Sequence, residues 1–243
     1  MPVRAHAIRA VLFDKDGTLV DFDATWGPAG LAVMRALAGG DDDALARLLD
    51  VADYDLAARR FRPTSPVIAG SSGDYGPQWA EALRRPASAA FFAEMDALFL
   101  AHGLDWVAPV GAPGPVLDTL ASRGVAMGIA TNDGEASARA QMAALGLDRH
   151  LAFYSGWDSG HGRKPGPGPV QAFAEAVGVA PHEVALVGDS LHDLHAARAA
   201  GALAVAVLTG PRGLAARDDL APFADVLLAT LDPLPDLLAK AGA

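Results

Sequence analysis

The chain contains no cysteine, only 3 lysines and no long uninterrupted apolar run. Without a thiol, disulfides, thiolate zinc sites, iron–sulfur ligation and a cysteine nucleophile are all excluded. Positive charge is in deficit, with Lys+Arg 19 against Asp+Glu 29 and a formal net charge of −10. Phosphate backbones are held mainly by lysine and arginine, so nucleic acid is not an expected partner. No apolar stretch approaches the roughly 20 residues needed to span a bilayer, and no membrane partner is expected. The apolar segment near the start is broken by Asp14, Lys15 and Asp16, unlike a secretory leader. The expectation is a soluble, cytoplasmic protein.

Aromatic residues are also sparse, at 7%, whereas alanine alone supplies 53 of 243 residues. Alanine forms helices well but anchors them weakly, so scattered Leu, Val, Phe and Met must define the buried faces. Hydrophobic residues total 51%, which excludes a mostly disordered polymer. The length suits one core domain carrying a smaller second unit.

Short apolar runs at Ile8–Phe13, Val125–Ala130, Val184–Val187, Leu203–Leu208 and Val226–Leu228 read as buried strands, with Leu151–Tyr154 a weaker sixth. Helical stretches over Ala136–Leu145, Pro169–Val177 and Leu191–Ala200 lie between them. This alternation predicts an α/β fold, a Rossmann-like, predominantly parallel sheet covered on both faces. Residues 21–109 break the rhythm. They carry helical patterns at Trp26–Leu37, Asp43–Arg60 and Ser88–His102, around an irregular Pro-, Ser- and Gly-rich middle at Arg62–Gly76. The division expected is a core of residues 1–20 and 110–243 with a helical insertion of 21–109. Pro109, Gly111, Pro113 and Gly114 mark the return to the core.

Four strand exits carry polar clusters. Asp14-Lys15-Asp16-Gly17-Thr18 follows the first strand, where carboxylates can enter a crevice and Gly17 permits a tight turn. A solvated turn is the ordinary alternative for such a segment. Thr131-Asn132-Asp133 precedes a helix, where a hydroxyl either caps the helix or binds a phosphoryl oxygen; both roles can coexist. Lys164 stands in a Gly- and Pro-rich loop and is a lysine in a chain that prefers arginine, a choice suited to a compact charge approaching an anion. Arg163 beside it reads as solvated. Asp189 and Asp193, four apart at a strand-to-helix transition, offer paired oxygen ligands suited to magnesium.

Taken in this order, Asp14-Lys15-Asp16-Gly17-Thr18, Thr131, Lys164 and Gly188-Asp189 through Asp193 resemble the haloacid-dehalogenase-like hydrolase superfamily. The match is to its phosphatase branch, with phosphoglycolate phosphatases the nearest general comparison. The resemblance implies that Asp14 attacks phosphorus to form an aspartyl-phosphate, and that Asp16 protonates the leaving group and then activates water. It implies Mg2+ held by Asp14, the Asp16 backbone carbonyl and Asp189, with Asp193 binding directly or through water. Thr131, Asn132 and Lys164 would bind the phosphoryl group. The implied partner is a small phosphorylated metabolite. A phosphomutase using the same phosphoenzyme, or a noncatalytic metal- or phosphate-binding regulator, remain alternatives.

The insertion resembles the family's helical cap, where substrate selection is expected. Its candidates are Arg62, Ser65, Ser71, Ser72, Tyr75, Gln78 and Trp79, with Arg62 the preferred anchor for a second anionic group. Trp26 and Trp106 are expected to pack the cap or its hinge. Phe91, Phe92, Met95, Leu98 and Phe99 have the spacing of internal cap packing. His161, His192 and His195 are expected outside the primary ligand set.

Overall fold

The computed structural model describes residues 8–68 and 70–241. They form two compact units, one comprising the described residues up to Asp21 and from Pro109 onward, the other Phe22–Ala108. The chain begins with strand β1 (Ala10–Phe13), every residue of which is buried.

It then enters the helical unit through α1 (Phe22–Ala38) and α2 (Asp42–Val51). A small hairpin of β2 (Tyr54–Asp55) and β3 (Arg60–Phe61) follows, then α3 (Ser72–Ala82) and α4 (Ala89–Asp105). Helix α1 packs against α2 and α4, and α3 does the same. Local chemistry sets the helix starts. Asp41 accepts from the Ala44 amide at 3.0 Å, and Ser88 accepts from the Phe91 amide at 3.2 Å. Phe91, Met95 and Phe99 recur every four residues along α4 and bury one stripe, with Phe92 and Leu98 at its margin.

The structure corrects three expectations in this unit. The helix read over residues 43–60 stops at Val51, because Asp53 and Arg59 adopt left-handed φ of 48° and 53° and turn the chain into the hairpin. The irregular middle ends earlier than Gly76, because Ser71 and Asp74 form a capping box that starts α3. Trp106 is 48% exposed rather than packed, whereas Trp26 is buried against Phe99. Two glycines let the hairpin approach α1. A Cβ on Gly30 would lie 2.4 Å from the Phe61 ring, and one on Gly27 2.4 Å from the Arg59 carbonyl.

The other unit resumes with Pro109, which bridges to Val20, and with the Val110 amide donating to the Leu19 carbonyl at 2.9 Å. Helix α5 (Pro113–Ser122) was not read from the sequence; its prolines fall in the first turn, where a missing N–H is tolerated. There follow β4 (Ala126–Ala130), α6 (Glu135–Ala144), β5 (Phe153–Ser155), α7 (Gly168–Val177), β6 (Val184–Gly188) and α8 (Leu191–Ala200). Strand β7 (Leu203–Val207), α9 (Arg217–Leu220), β8 (Val226–Leu228) and α10 (Leu234–Ala241) complete the chain.

The six strands are all parallel, in the order β5-β4-β1-β6-β7-β8. Leu12 registers with Gly128 on one side and Leu186 on the other. Ala10, Leu12, Val184, Leu186, Ala204 and Ala206 join one cluster with Val170, Phe173 and Leu194 of α7 and α8. Their alternate neighbours, Val11, Phe13, Ala185, Val187, Val205 and Val207, are fully buried too. Helix cover on both faces thus explains the continuously apolar strands. Among the described residues, no helix is long and apolar enough to cross a membrane.

Candidate active site

Strand β1 lies inside the sheet, so its carboxyl end opens between β4 and β6. The Asp14 amide donates to the Val187 carbonyl at 2.8 Å, extending the ladder one residue and setting the carboxylate at the sheet edge. The Thr131 amide donates to the Ser155 carbonyl at 2.9 Å and holds that residue at the end of β4. Asp189 follows β6 directly, and Asp193 is the third residue of α8. Such strand ends in an open parallel sheet are where a crevice forms.

The Lys164 ammonium joins these groups. It lies 2.6 Å from Asp14 Oδ1 and 2.6 Å from Asp193 Oδ1, and it is buried. Asn132 fixes the backbone of Lys164 from both sides. Its side-chain amide donates to the Lys164 carbonyl at 3.1 Å, and its side-chain oxygen accepts from the Lys164 amide at 3.1 Å. Asn132, read as a phosphate ligand, is therefore placed by the fold as a clamp on the lysine. Thr131 Oγ accepts from the Asp133 amide at 3.1 Å, an ST-turn contact that leaves its proton to donate elsewhere. Arg163 is exposed beside it.

Asp193 is fully buried, and its two oxygens face different partners. Oδ2 accepts from the Ser190 amide at 3.0 Å and the Ser190 hydroxyl at 2.6 Å, while Oδ1 faces Lys164. Asp189 is wedged between glycines. A Cβ on Gly17 would fall 2.5 Å from Asp189 Oδ2, and one on Gly210 1.8 Å from it. Gly17 also needs its freedom for a φ of +79°. Thr209 donates to the Gly17 carbonyl at 2.6 Å, tying the loop after β7 to the turn after β1. Nothing in the spacing of Thr209 and Gly210 marks them in the sequence.

Negative charge exceeds positive charge here. Burial, then Asp193, pushes the Asp14 carboxyl up to about 7, although Lys164 pulls the other way. Asp189 is raised well above the ordinary carboxylate range by burial and by Asp14 and Asp193. Burial would lower the Lys164 ammonium, but Asp14 and Asp193 outweigh it and raise the group overall. Ligand oxygens of Asp14, Asp189 and Asp193 all lie within 4.8 Å of one another. An all-oxygen donor set with surplus negative charge fits a hard divalent cation. His161 lies tilted against Phe153 and exposed His195 meets Phe223 edge to face, and neither belongs to this cluster; nor does His192.

The insertion's candidates are placed by its own packing. Arg62 is exposed and paired with Asp53 at 3.4 Å and Asp55 at 3.5 Å. Ser65 donates to the Ala52 carbonyl at 2.7 Å, and Ser71 donates to Asp74 at 2.7 Å in the α3 cap. Tyr75 and Trp79 are buried against Phe99; Ser72 is buried and Gln78 exposed.

The family description "haloacid dehalogenase-like hydrolase" matches residues 8–201, most of the chain. This protein belongs to that family. A phosphoglycolate phosphatase of Rhodospirillum rubrum is 33% identical over 237 residues, covering 90% of each chain. One from Xanthomonas campestris pv. campestris is 33% identical over 226 residues, covering 90% of this chain and 91% of its own. Among solved structures, a predicted phosphoglycolate phosphatase from Haemophilus somnus 129PT superposes with a TM-score of 0.70 at 17% identity. That match covers 96% of this hydrolase and 98% of the other chain, and its low identity speaks to the fold alone. The hydrolase is thus of the phosphatase branch, an α/β core with inserted helices forming a cap, acting on a small phosphate ester through the family's aspartyl-phosphate chemistry.

Proposed function

We propose that the protein is a magnesium-dependent phosphatase of small organic phosphate monoesters carrying a carboxylate or hydroxyls, with phosphoglycolate the first candidate. The observation that carries this reading is the buried Lys164 ammonium held 2.6 Å from Asp14 at the carboxyl tip of β1, beside Asp189 and Asp193. Similarity to phosphoglycolate phosphatases over nine-tenths of the chain supports the substrate class.

In this mechanism an Asp14 oxygen forms a bond to phosphorus as the bond to the leaving oxygen breaks. Asp16 gives its proton to the departing alkoxide. It then takes a proton from the water that attacks the acyl phosphate, releasing inorganic phosphate and restoring Asp14. Lys164 and the Thr131 hydroxyl face the phosphoryl oxygens and offset their charge. Asn132 holds Lys164 in place. Asp14, Asp189 and the Asp16 carbonyl would hold Mg2+, and the bound ion supplies positive charge to an otherwise anionic site. Asp193 accepts from Ser190 through Oδ2 and from Lys164 through Oδ1, so it orients these groups, and the remaining lone pair of Oδ1 would let it join the metal shell directly or through water.

The test is a panel of phosphoglycolate, sugar phosphates, phosphorylated amino acids and nucleotides, with phosphate release and product identity measured together. Expected is phosphate release from one small-metabolite class, with trapped phosphate on Asp14 by mass spectrometry. Asp14→Asn should lower kcat by at least about 10³-fold. Isomerised product without free phosphate would replace this reading with a mutase, and normal turnover by Asp14→Asn would overturn it.

A further inference from the structure

Lys15 stands between the two motif aspartates, just beyond the end of β1, and its side chain is fully buried where an apolar residue would be the cheaper choice. A buried ammonium costs several kcal/mol, on the order of the ion's desolvation, unless it is paired and hydrogen-bonded.

Its partners come from three segments. The ammonium lies 3.0 Å from Asp16 Oδ1 and 2.9 Å from Asp16 Oδ2, gripping both oxygens of that carboxylate. It lies 2.9 Å from Asp133 Oδ2, on the loop that also carries Thr131 and Asn132. It donates to Gln141 Oε1 at 2.6 Å, and Gln141 is itself fully buried on α6. A single cation therefore ties Asp16 to the loop after β4 and to a fixed helix. Were Lys15 only a staple between β1 and α6, Gln141 and Asp133 would suffice as partners. The contact with both Asp16 oxygens is what exceeds that need.

We propose that Lys15 is a positioning residue: anchored by Asp133 and Gln141, it fixes the Asp16 carboxyl group where the leaving-group proton is delivered and where water is later deprotonated. This rests on the phosphatase reading above. A displacement of about 1 Å in such a group can cost on the order of 10²-fold in rate.

The experiment separates the two half-reactions in Lys15→Met, whose side chain suits a buried site. With p-nitrophenyl phosphate, the leaving group departs without a proton, so the burst of nitrophenolate reports attack by Asp14 alone. Its rate should stay within about 3-fold of the unaltered protein, while steady-state turnover falls about 10–100-fold because Asp16 must still activate water. With phosphoglycolate, single-turnover release of the alcohol should fall by a similar factor, whereas for p-nitrophenyl phosphate kcat and KM should fall together and leave kcat/KM within about 3-fold. Gln141→Met, which removes one anchor and keeps the lysine, should give the same pattern at smaller size. Equal losses in every step with both substrates, or no loss in any, would overturn the proposal and leave Lys15 a structural staple. Failure of both variants to fold would do the same. Absence of ester hydrolysis by the unaltered protein would instead defeat the phosphatase reading, and this proposal with it.

Discussion

At the scale of single residues, the crowding of Asp14, Asp189 and Asp193 has a thermodynamic signature. Burial and Asp193 raise the Asp14 carboxyl from 3.8 to about 7. Between those values the folded protein holds a proton that the unfolded chain has released. Folding stability from this group therefore falls as pH rises through that window, and the penalty is complete above it. Asp189 is shifted in the same direction and adds to the trend. A cation bound to the ionised carboxylates removes the penalty, so magnesium should raise Tm more at about pH 8 than at about pH 5. Asp14→Asn should raise the metal-free Tm at the higher pH and shrink the magnesium shift. Equal magnesium shifts at both pH values in the unaltered protein would contradict this account. The carboxylates themselves were legible in the sequence because each adjoins a strand exit, where sequence position fixes spatial position. Lys15 was not. Its role depends on Gln141, 126 residues away, and no local spacing announces a partner brought in by a parallel crossover.

At the scale of elements, the strands and the helices flanking them were readable because helix cover on both faces leaves only apolar residues in β1, β6 and β7. The insertion was less readable where the backbone takes left-handed turns. Asp53 and Arg59 are ordinary polar residues in sequence, yet their positive φ ends a helix that its pattern would continue. Helix α4 was clear for the opposite reason, since its sparse large side chains all fall on one stripe. Met95 is fully buried there, beside Gly76 of α3, whose Cβ would lie 3.0 Å from the methionine methyl. Met95→Ala should therefore open a cavity and cost about 2–5 kcal/mol. Urea titration should show a lower midpoint with the slope unchanged. A loss under about 1 kcal/mol would mean that neighbouring side chains collapse into the space, as happens only in loosely packed cores.

At the scale of the whole molecule, the insertion is grafted where the chain can leave and return without disturbing the sheet. Val20 bridges to Pro109, and the Val110 amide reaches the Leu19 carbonyl, so the two ends of the Phe22–Ala108 unit are adjacent on the core side. Each unit also has its own buried cluster, one around Trp79, Phe91 and Met95 and the other around Leu12, Phe173 and Leu186. Every residue assigned to bond making, proton transfer and phosphate binding belongs to the core unit. Joining neighbouring ends with a short turn adds little loop-closure entropy. Replacement of residues 22–108 by a short Gly- and Ser-rich turn should thus leave a sheet that folds and binds magnesium, measurable by circular dichroism and calorimetric titration. That shortened chain should hydrolyse p-nitrophenyl phosphate while losing at least about 10-fold in its discrimination between phosphoglycolate and sugar phosphates, if substrate selection is the insertion's contribution as proposed. Arg62→Ala in the full chain gives the finer measure. Arg62 is shared between Asp53 and Asp55. If it nevertheless anchors a second anionic group, kcat/KM for phosphoglycolate should fall several-fold more than for the aryl ester, about 1 kcal/mol of selective binding. Equal losses on both substrates would assign Arg62 to its acidic neighbours alone. A shortened chain that folds, binds magnesium and turns over no ester at all would show that the insertion supplies part of the chemistry rather than the choice of substrate.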